Sequence, residues 1–159
     1  MWIKADQTEV YVTVKTIELS LILPVKNIEN EIIGILNFLR TQIGELSAEI
    51  IVVDMGSTDR TVLQSVRQMK DMGFHGYVIQ NGDSTVSAAL NTGIQKADGC
   101  FLSFVFARRL YENFLAPFLE AAKRTKADFV FGCSSREEAR AAERHSLSSA
   151  ILHHGGLPV

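Results

Sequence analysis

Two short runs of polar residues carry side chains that could bind a charged ligand. The run at residues 54–59 (Asp-Met-Gly-Ser-Thr-Asp) combines two carboxylates with two hydroxyls, and Arg108-Arg109 places two guanidinium groups side by side. A guanidinium is always charged and binds phosphate oxygens through two hydrogen bonds at once. The arginine pair, helped by Lys26, can therefore neutralise a phosphate-bearing ligand without a metal ion. The alternative is that both arginines are solvated or pair with acids such as Glu112.

The acidic run also has a purely structural interpretation. It follows an apolar segment and precedes a helical pattern, so Gly56 can form the tight turn between them. Ser57, Thr58 or Asp59 can cap the first turn of the helix. Taken alone, this is ordinary strand–turn–helix chemistry, and a single carboxylate such as Asp54 is a weak metal site.

Five short apolar runs indicate the strands that position these residues. They are residues 19–24, 50–53, 77–79, 101–106 and 129–131, all rich in β-branched and aromatic side chains. Runs that are apolar on both faces are typical of buried strands in a mostly parallel sheet. Because they alternate with helical patterns, the sequence predicts α/β architecture, a Rossmann-like three-layer sandwich with a mostly parallel central sheet.

Four helices are indicated by apolar residues at helical spacing. The stripes are Ile32, Ile35, Leu36, Leu39 and Ile43; Val62, Val66 and Met69; Val86, Leu90, Gly93, Ile94 and Ala97; and Phe114, Phe118, Ala121 and Ala122. In parallel sheets of this kind, ligands bind outside the carboxyl ends of the strands. A site is therefore expected among residues 24–27, 54–59, 80–84 and 106–111.

The two ends of the chain differ from this pattern. Residues 9–17 alternate strictly between apolar and polar, which predicts an extra edge strand. Residues from about 135 to 152 are Ala-rich and predict a last helix, ending at His153-His154. Its arginines, Arg136, Arg140 and Arg144, form either a solvated, internally paired face or a basic stripe for an acidic partner. We predict one domain over 1–159: the edge strand within 1–17, a core at 18–132, and a C-terminal helix and tail at 133–159.

Composition excludes several classes of protein. Of the 159 residues, 47% are hydrophobic and 21% are charged, which excludes a disordered chain. The net charge of −2 lacks the strongly basic balance that is typical of nucleic-acid-binding proteins. Two cysteines cannot form a disulfide framework, and we expect Cys100 and Cys133 to be core thiols. Since there is neither an apolar run near 20 residues nor a secretory signal, we expect a soluble cytoplasmic protein with no membrane span.

Three segments together resemble family 2 glycosyltransferases. Residues 19–27 (Leu-Ser-Leu-Ile-Leu-Pro-Val-Lys-Asn) are similar to the opening strand of that family, which typically ends Pro-x-Tyr-Asn. Residues 49–59 resemble its second strand, E-I-I-V-V-D-D-G-S-x-D. Residues 88–94, followed by Ala97, Gly99 and Phe101, resemble A-A-R-N-x-G-I-x-x-A-x-G-x-Y/F. The three matches occur in order and at the right spacing, covering residues 18–132.

The resemblance implies a GT-A fold and transfer of a sugar from a nucleotide diphosphate to an acceptor. It implies a nucleotide-sugar pocket at the carboxyl edge, with Asp54 near the base or ribose. The residues it implies for ligand binding are Pro24, Asn27, Asp54, Gly56, Ser57 and Asp59. Separately from the resemblance, the charge of Arg108 and Arg109 leads us to expect these two side chains near phosphate. The resemblance also implies a divalent cation held by a D-x-D motif after the strand at 101–106. It assigns no catalytic residue in this chain.

Departures from the family pattern fall on its ligand-binding positions. Met55 replaces the second acid of D-D-G-S, Lys26 replaces the tyrosine, and Leu90 replaces the arginine of A-R-N. Phe106 and Arg108 replace both carboxylates of D-x-D. Since Mg²⁺ and Mn²⁺ need hard oxygen ligands, we expect neither metal here and no resident cofactor. The chain also ends 50 residues after Arg109, so we expect the acceptor and catalytic-base regions to be missing.

Two functions remain open from the sequence. The first is a degenerate family 2 glycosyltransferase that binds a nucleotide-sugar and has weak or no activity. The second is a non-catalytic binding or assembly protein that keeps the fold and binds a protein partner or a nucleotide. A homodimer or another protein partner is expected to use the strand at 9–17 or the helix at 135–152.

Overall fold

The computed structural model describes residues 16–107, 110, 114–127, 129–133 and 149–153. The strands in this part are β1 (Leu19–Val25), β2 (Ala48–Asp54), β3 (His75–Gln80), β4 (Phe101–Phe104), β5 (Phe129–Cys133) and β6 (Ser149–His153). The helices are α1 (Ile32–Ile43), α2 (Thr61–Asp71), α3 (Val86–Lys96) and α4 (Leu115–Thr125). All five predicted strands and all four predicted helices of the core are therefore present.

The central sheet has four parallel strands in the order β3-β2-β1-β4. Helices α1, α2 and α4 contribute to the core on one face, and α3 packs on β1 and β2 from the other face. The predicted three-layer α/β sandwich with a parallel sheet is confirmed. Strands β5 and β6 form a separate two-stranded parallel sheet. No helix among the described residues is long and apolar enough to cross a membrane.

The centre of the sheet is the most deeply buried part of the described chain. Every residue of β1 is buried, as is every residue of β2 except Ala48 at its start. All five apolar residues predicted for the stripe of α1 are buried against the sheet. Their spacing places them on one helical face, which explains why apolar periodicity located this helix correctly.

The outer strands and two helices are more exposed than the sequence predicts. Strands β3 and β4 have a neighbour on only one side within the described sheet, and Tyr77 is 43% exposed. Helix α2 buries Thr61, Ser65 and Met69, whereas Val66 of the predicted stripe is 48% exposed. Helix α3 buries Ala89 and Gly93, whereas Val86 and Ile94 of its predicted stripe are exposed. The prediction that β3 is buried is therefore wrong at Tyr77, and the predicted buried stripes are wrong at Val66, Val86 and Ile94. Apolar periodicity indicates that a segment is helical more reliably than it indicates which face of the helix is buried.

A buried polar cluster fixes the start of β4. Glu49 is fully buried, and its Oε1 accepts hydrogen bonds from Ser20 Oγ at 2.6 Å and from the main-chain N–H of Asp98 at 2.7 Å. Ser20 Oγ in turn accepts from the N–H of Gly99 at 2.9 Å. A Cβ on Gly99 would lie 2.6 Å from Ser20 Oγ, so only glycine fits there. This cluster lies at the amino ends of the strands, away from the edge where ligands are expected.

The ends of the chain correct two further predictions. Ser149–His153 is a strand paired in parallel with β5, so the predicted helix over 135–152 is wrong from residue 149 onward, and His153 is not at a helix end. Residues 134–148, with the arginine stripe, and His154 lie outside the described residues, as do residues 9–15 of the predicted edge strand. Cys100 is exposed and not a core thiol, because it precedes the edge strand β4.

Candidate functional site

The carboxyl edge of the sheet brings three loops together. These are residues 26–31 after β1, 55–60 after β2 and 81–85 after β3. Main-chain hydrogen bonds continue the sheet into the loops: Met55 N–H donates to Val25 O, and Asn81 N–H donates to Asp54 O, each at 2.8 Å. Three of the four segments where the sequence predicted a site, 24–27, 54–59 and 80–84, are therefore neighbours, as expected for parallel strands, whereas most of the fourth, 106–111, lies outside the described residues.

The first two loops interlock through Asn27, Ser57 and Thr58. The main-chain N–H of Asn27 donates to Ser57 Oγ at 2.8 Å, and Asn27 Oδ1 accepts from the N–H of Thr58 at 2.8 Å. Asn27 has a φ of 50°, a left-handed conformation that asparagine tolerates better than most residues. The predicted site residues Asn27 and Ser57 therefore hold these loops to each other.

A second set of hydrogen bonds extends the interlock to the start of α2. Asp59 Oδ2 accepts from the N–H of Glu29 at 3.1 Å, and its Oδ1 accepts from the N–H of Thr61 at 3.0 Å. Glu29 Oε2 accepts from the N–H of Arg60 at 2.8 Å. Thr61 Oγ1 accepts from the N–H of Ile28 at 2.8 Å. Arg60 occupies the N-cap position of α2, so Asp59, one residue earlier, is the predicted capping residue that contacts the first helical N–H.

The pKa of Asp59 reflects these contacts. Desolvation raises the pKa of this carboxyl, but hydrogen bonds from Thr61 and from the N–H of Glu29 favour the charged form. The net result is a pKa below the usual value of 3.8. Asp59 is therefore a carboxylate at neutral pH.

Asp54 is enclosed by its own loop. It is only 2% exposed, and its Oδ2 accepts from the N–H groups of Gly56 at 3.2 Å and Ser57 at 3.1 Å. Gly56 has a φ of 83°, which confirms the predicted tight turn at this glycine. The carboxylate of Asp54 thus lies at the expected edge of the sheet, where it organises the turn.

The third loop closes over the second one. A Cβ on Gly56 would lie 3.1 Å from Cα and N of Asp83, so the two turns approach too closely for a larger residue. The Lys26 Nζ and Asp83 Oδ1 atoms form an ion pair at 2.5 Å, which bridges β1 to the loop after β3 and crosses the end of β2. The hydrogen bond and charge of Lys26 lower the pKa of Asp83 below its usual value. Lys26, which the sequence offered as a phosphate ligand, is occupied by this pair.

The remaining predicted site residues are placed less directly. Pro24 is buried near the end of β1, in register with Val53 of β2, and so lies beneath the loops at the carboxyl ends of the strands. Phe106 follows β4 and is 41% exposed. Arg108 and Arg109 lie outside the described residues, so their predicted contact with phosphate stays a prediction.

Two residues of the site, Glu29 and Thr61, lie outside the segments predicted from the sequence, and Asp83 lies within the predicted segment 80–84 but was not singled out there. Glu29 and Thr61 complete the interlock, and Asp83 pairs with Lys26. Asp83 had a detectable signal, because Asn81-Gly82-Asp83-Ser84 is a strong turn sequence at the end of a strand. Glu29 and Thr61 had none, because their bonding partners are about 30 residues away in the chain.

The residues present do not fit the divalent cation that the resemblance implies. Phe106 stands at the first D-x-D position and offers no oxygen ligand. Asp54 is engaged with main-chain N–H groups, and Asp83 is paired with Lys26. Within the described ranges, no group of three or more His, Cys, Asp or Glu side chains is arranged to hold a metal ion.

Comparison with known proteins identifies a family and a fold. The family model described as glycosyl transferase family 2 matches residues 20–154. TarS from S. aureus (residues 1–349) is 24% identical with a TM-score of 0.63, over 74% of this chain and 36% of that one. Mannosyl-3-phosphoglycerate synthase from Rubrobacter xylanophilus is 22% identical with a TM-score of 0.56, over 77% of this chain and 41% of that one. No curated protein matches the chain significantly.

A third solved structure contains ligands. Glucosyl-3-phosphoglycerate synthase from Mycobacterium tuberculosis, in complex with Mn²⁺, uridine diphosphate and glucosyl-3-phosphoglycerate, is 19% identical with a TM-score of 0.57. The match covers 80% of this chain and 50% of that one. At these identities the likeness shows a shared GT-A fold. The chain spans between 36% and 50% of the length of these three structures.

Proposed function

The chain belongs to glycosyl transferase family 2, and from this premise we propose that its carboxyl edge binds a nucleotide-diphospho-sugar, with weak or no transfer of the sugar. The observation that carries the proposal is the platform formed there by three interlocked loops, in which Asn27, Ser57 and Asp59 are all engaged. A platform held by this many hydrogen bonds is preorganised, so binding a ligand costs little ordering of the loops.

The base and ribose are assigned to the surface above Asp54 and Gly56. Because the Asp54 carboxylate is enclosed, main-chain groups of the turn and the adjacent side chains make the ligand contacts. Met55, half-buried beside this turn, offers an apolar surface where the family has a second acid. The expected loss of that acid's contact to the base is one reason for proposing weak binding.

The diphosphate is assigned to the cationic side chains. Arg108 and Arg109 supply the charge that a metal ion supplies elsewhere, since guanidinium groups bind phosphate bidentately. Lys26 joins them by exchanging Asp83 for a phosphate oxygen. Such an exchange is inexpensive, because an ion pair exposed to solvent contributes little to stability.

Titration calorimetry with UDP, GDP and TDP sugars, with and without Mn²⁺, tests the proposal. We expect binding that does not depend on Mn²⁺ and that weakens about tenfold or more in Arg108→Ala, the loss of one charged hydrogen-bonding group. The matched control is Arg124→Ala, an exposed arginine in the last turn of α4. The adjacent Lys123 pairs with Glu18, which directly precedes β1. That turn therefore lies at the amino ends of the strands, away from the proposed ligand site at their carboxyl ends.

The opposite results are equally informative. Binding that requires Mn²⁺ would overturn the metal-free arrangement, and equal losses in Arg108→Ala and Arg124→Ala would overturn the assignment of the phosphates. No binding at millimolar ligand would favour the second candidate, a non-catalytic assembly protein. The exposed apolar side chains near β4 are the observation that favours this alternative.

A further inference from the structure

An ion pair within the chain crosses the edge of the sheet where the ligand is proposed to bind. Lys26 directly follows β1, and its Nζ lies 2.5 Å from Oδ1 of Asp83 in the loop after β3. Because β2 lies between β1 and β3 in the sheet, the pair passes over the carboxyl end of β2. The turn at Gly56, to which the base and ribose are assigned, follows that end. The pair is therefore part of the proposed ligand site.

The loop that carries Asp83 is anchored at both of its ends. At its start, Asn81 N–H donates to Asp54 O at 2.8 Å, and at its end the side chain of Thr85 caps α3. These bonds hold the main chain of the loop in place. Releasing the lysine therefore requires only a rotation of the Asp83 side chain, which is 88% exposed.

The carboxylate of Asp83 is ionised at neutral pH. The hydrogen bond from Lys26 and the charge of that lysine lower the pKa of Asp83 below the usual 3.8. Lys26 has three N–H donors, but a phosphate and a carboxylate bound to one ammonium group lie side by side and repel each other. A diphosphate and the Asp83 carboxylate are therefore alternative partners of Lys26.

Tethering gives Asp83 an advantage over free anions. Because its carboxylate belongs to the same folded chain as Lys26, its effective concentration there is about millimolar or higher. A free phosphate ion competes with Asp83 through one group, whereas a nucleoside diphosphate also gains contacts through its base and ribose. The pair therefore favours a complete ligand over simple anions, and it lowers the affinity for both.

We propose that Asp83 is an internal competitor for the diphosphate subsite, and hence an autoinhibitory residue of the ligand site. Without ligand, its carboxylate occupies Lys26. A bound diphosphate takes over Lys26, and the Asp83 side chain turns into solvent. No covalent bond forms or breaks in this exchange. It rests on the proposed function, because it requires a diphosphate at the carboxyl edge.

A purely structural ion pair leads to a different expectation. If the pair served only to hold the loops after β1 and β3 together, its loss would loosen the site. Loose loops have to be ordered on binding, so the affinity for nucleotide would fall. An internal competitor has the opposite effect, because its removal raises the affinity. The sign of the change in Asp83→Asn therefore distinguishes the two roles.

Titration calorimetry of the full chain with UDP, GDP and TDP measures this change, with uridine as a ligand that has no phosphate. We expect Asp83→Asn to bind nucleoside diphosphate about threefold or more tightly than wild type, because its neutral amide competes weakly for Lys26. Its affinity for uridine is expected to stay unchanged. The matched control is Asp71→Asn, which removes the same charge from the last residue of α2, at the far end of that helix from the site.

A double-mutant cycle with Lys26→Met separates competition for Lys26 from general repulsion between Asp83 and the ligand. In the Lys26→Met background there is no ammonium group to occupy, so Asp83→Asn is expected to give little further gain in affinity. An equal gain in both backgrounds would mean that Asp83 acts by repulsion alone, and would overturn the proposal. Circular dichroism confirms that each variant is folded.

The other outcomes separate this proposal from the proposed function. Nucleotide binding by wild type with no gain in Asp83→Asn, or with an equal gain for uridine or in Asp71→Asn, would overturn the internal competitor and leave nucleotide binding in place. Binding by Asp83→Asn alone would support both. If neither protein bound any of the nucleoside diphosphates at millimolar concentration, the proposed function would fail, and the competitor with it.

Discussion

Most polar side chains at the carboxyl edge are hydrogen-bonded to main-chain groups of neighbouring loops. Asn27, Asp54 and Asp59 each accept hydrogen bonds from N–H groups of the chain itself. A carboxylate that accepts N–H hydrogen bonds forms charge-assisted bonds, which are stronger than those between neutral groups and stabilise the turn. The acidic run after β2 therefore has a structural role here, whichever ligand the edge binds.

Asp59 provides a test of this role through pH. Its pKa is below 3.8 in the folded chain, so the stabilisation from its charged form is complete above the unfolded value of about 3.9. It is lost as the pH falls through the lower, folded pKa. We expect Asp59→Asn to lower the free energy of unfolding at pH 7, and the difference from wild type to shrink as the pH falls below 4.

Urea unfolding at pH 7 and at pH 3 measures this difference. The control is Asp71→Asn at the end of α2, where no described residue donates to the carboxylate, so its effect on the free energy of unfolding is expected to be small. A loss in Asp59→Asn that is the same at both pH values would mean that the charge of Asp59 is not what stabilises the loops.

Sequence reasoning at this scale predicted residue types well and their partners poorly. The prediction of a tight turn at Gly56 is correct. Glycine adopts a positive φ without steric cost, and Gly56 lies between the end of a strand and the start of a helix. The bonds from Asn27 to Ser57 and Thr58 were not predictable, since they depend on β1 and β2 being adjacent in register. Local sequence carries no direct signal for contacts between loops about 30 residues apart.

At the scale of elements, α3 is the helix whose position depends most on a single residue. A Cβ on Gly93 would lie 2.4 Å from Cγ2 of Ile22, so the helix can approach β1 only because this residue is glycine. Apolar periodicity predicted α3 correctly but placed Ile94 in the core, where it is not. Ala89 and Gly93 are small, and small residues at the centre of the contact bring the helix close to the sheet while leaving larger flanking residues exposed.

Gly93→Ala is expected to destabilise the fold despite the better helix propensity of alanine. Overpacking a filled core costs about 1–3 kcal/mol, whereas alanine in place of glycine stabilises a helix by about 1 kcal/mol. The difference is a net decrease of about 0–2 kcal/mol in the free energy of unfolding. Gly34→Ala in α1 is the matched control, because nothing lies within 4 Å of its added Cβ, and it is expected to be stabilising.

A double-mutant cycle with Ile22→Ala assigns the effect to this contact. In that background the new methyl group of Gly93→Ala enters space vacated by Ile22, so its cost is expected to vanish or change sign. Urea unfolding of the four proteins gives the coupling energy. An unchanged cost in the Ile22→Ala background would place the strain elsewhere in α3.

At the scale of the whole molecule, the described core is a four-stranded sheet with two central strands and two edges. The sequence predicted the alternation of strands and helices, and hence the three layers, because parallel strands need helical crossovers. It did not predict that β5 would leave the central sheet to pair with β6, nor that Ser149–His153 would be a strand. Sheet membership depends on long-range pairing, which a single apolar run does not specify.

This arrangement predicts a gradient of stability from the centre of the sheet to its edges. Strands β1 and β2 are bonded on both sides and almost wholly buried, so their amides are expected to exchange hydrogen only through global unfolding, at about 5–15 kcal/mol. The outward amides of β3 and β4 are expected to exchange through local opening, at lower free energies. Native-state hydrogen exchange in increasing denaturant measures both classes. The gradient is confirmed if the opening free energies of the β3 amides are lower than those of the β2 amides without denaturant and converge with them only near the midpoint of unfolding. Equal opening free energies without denaturant would mean that the edge strands open only together with the core.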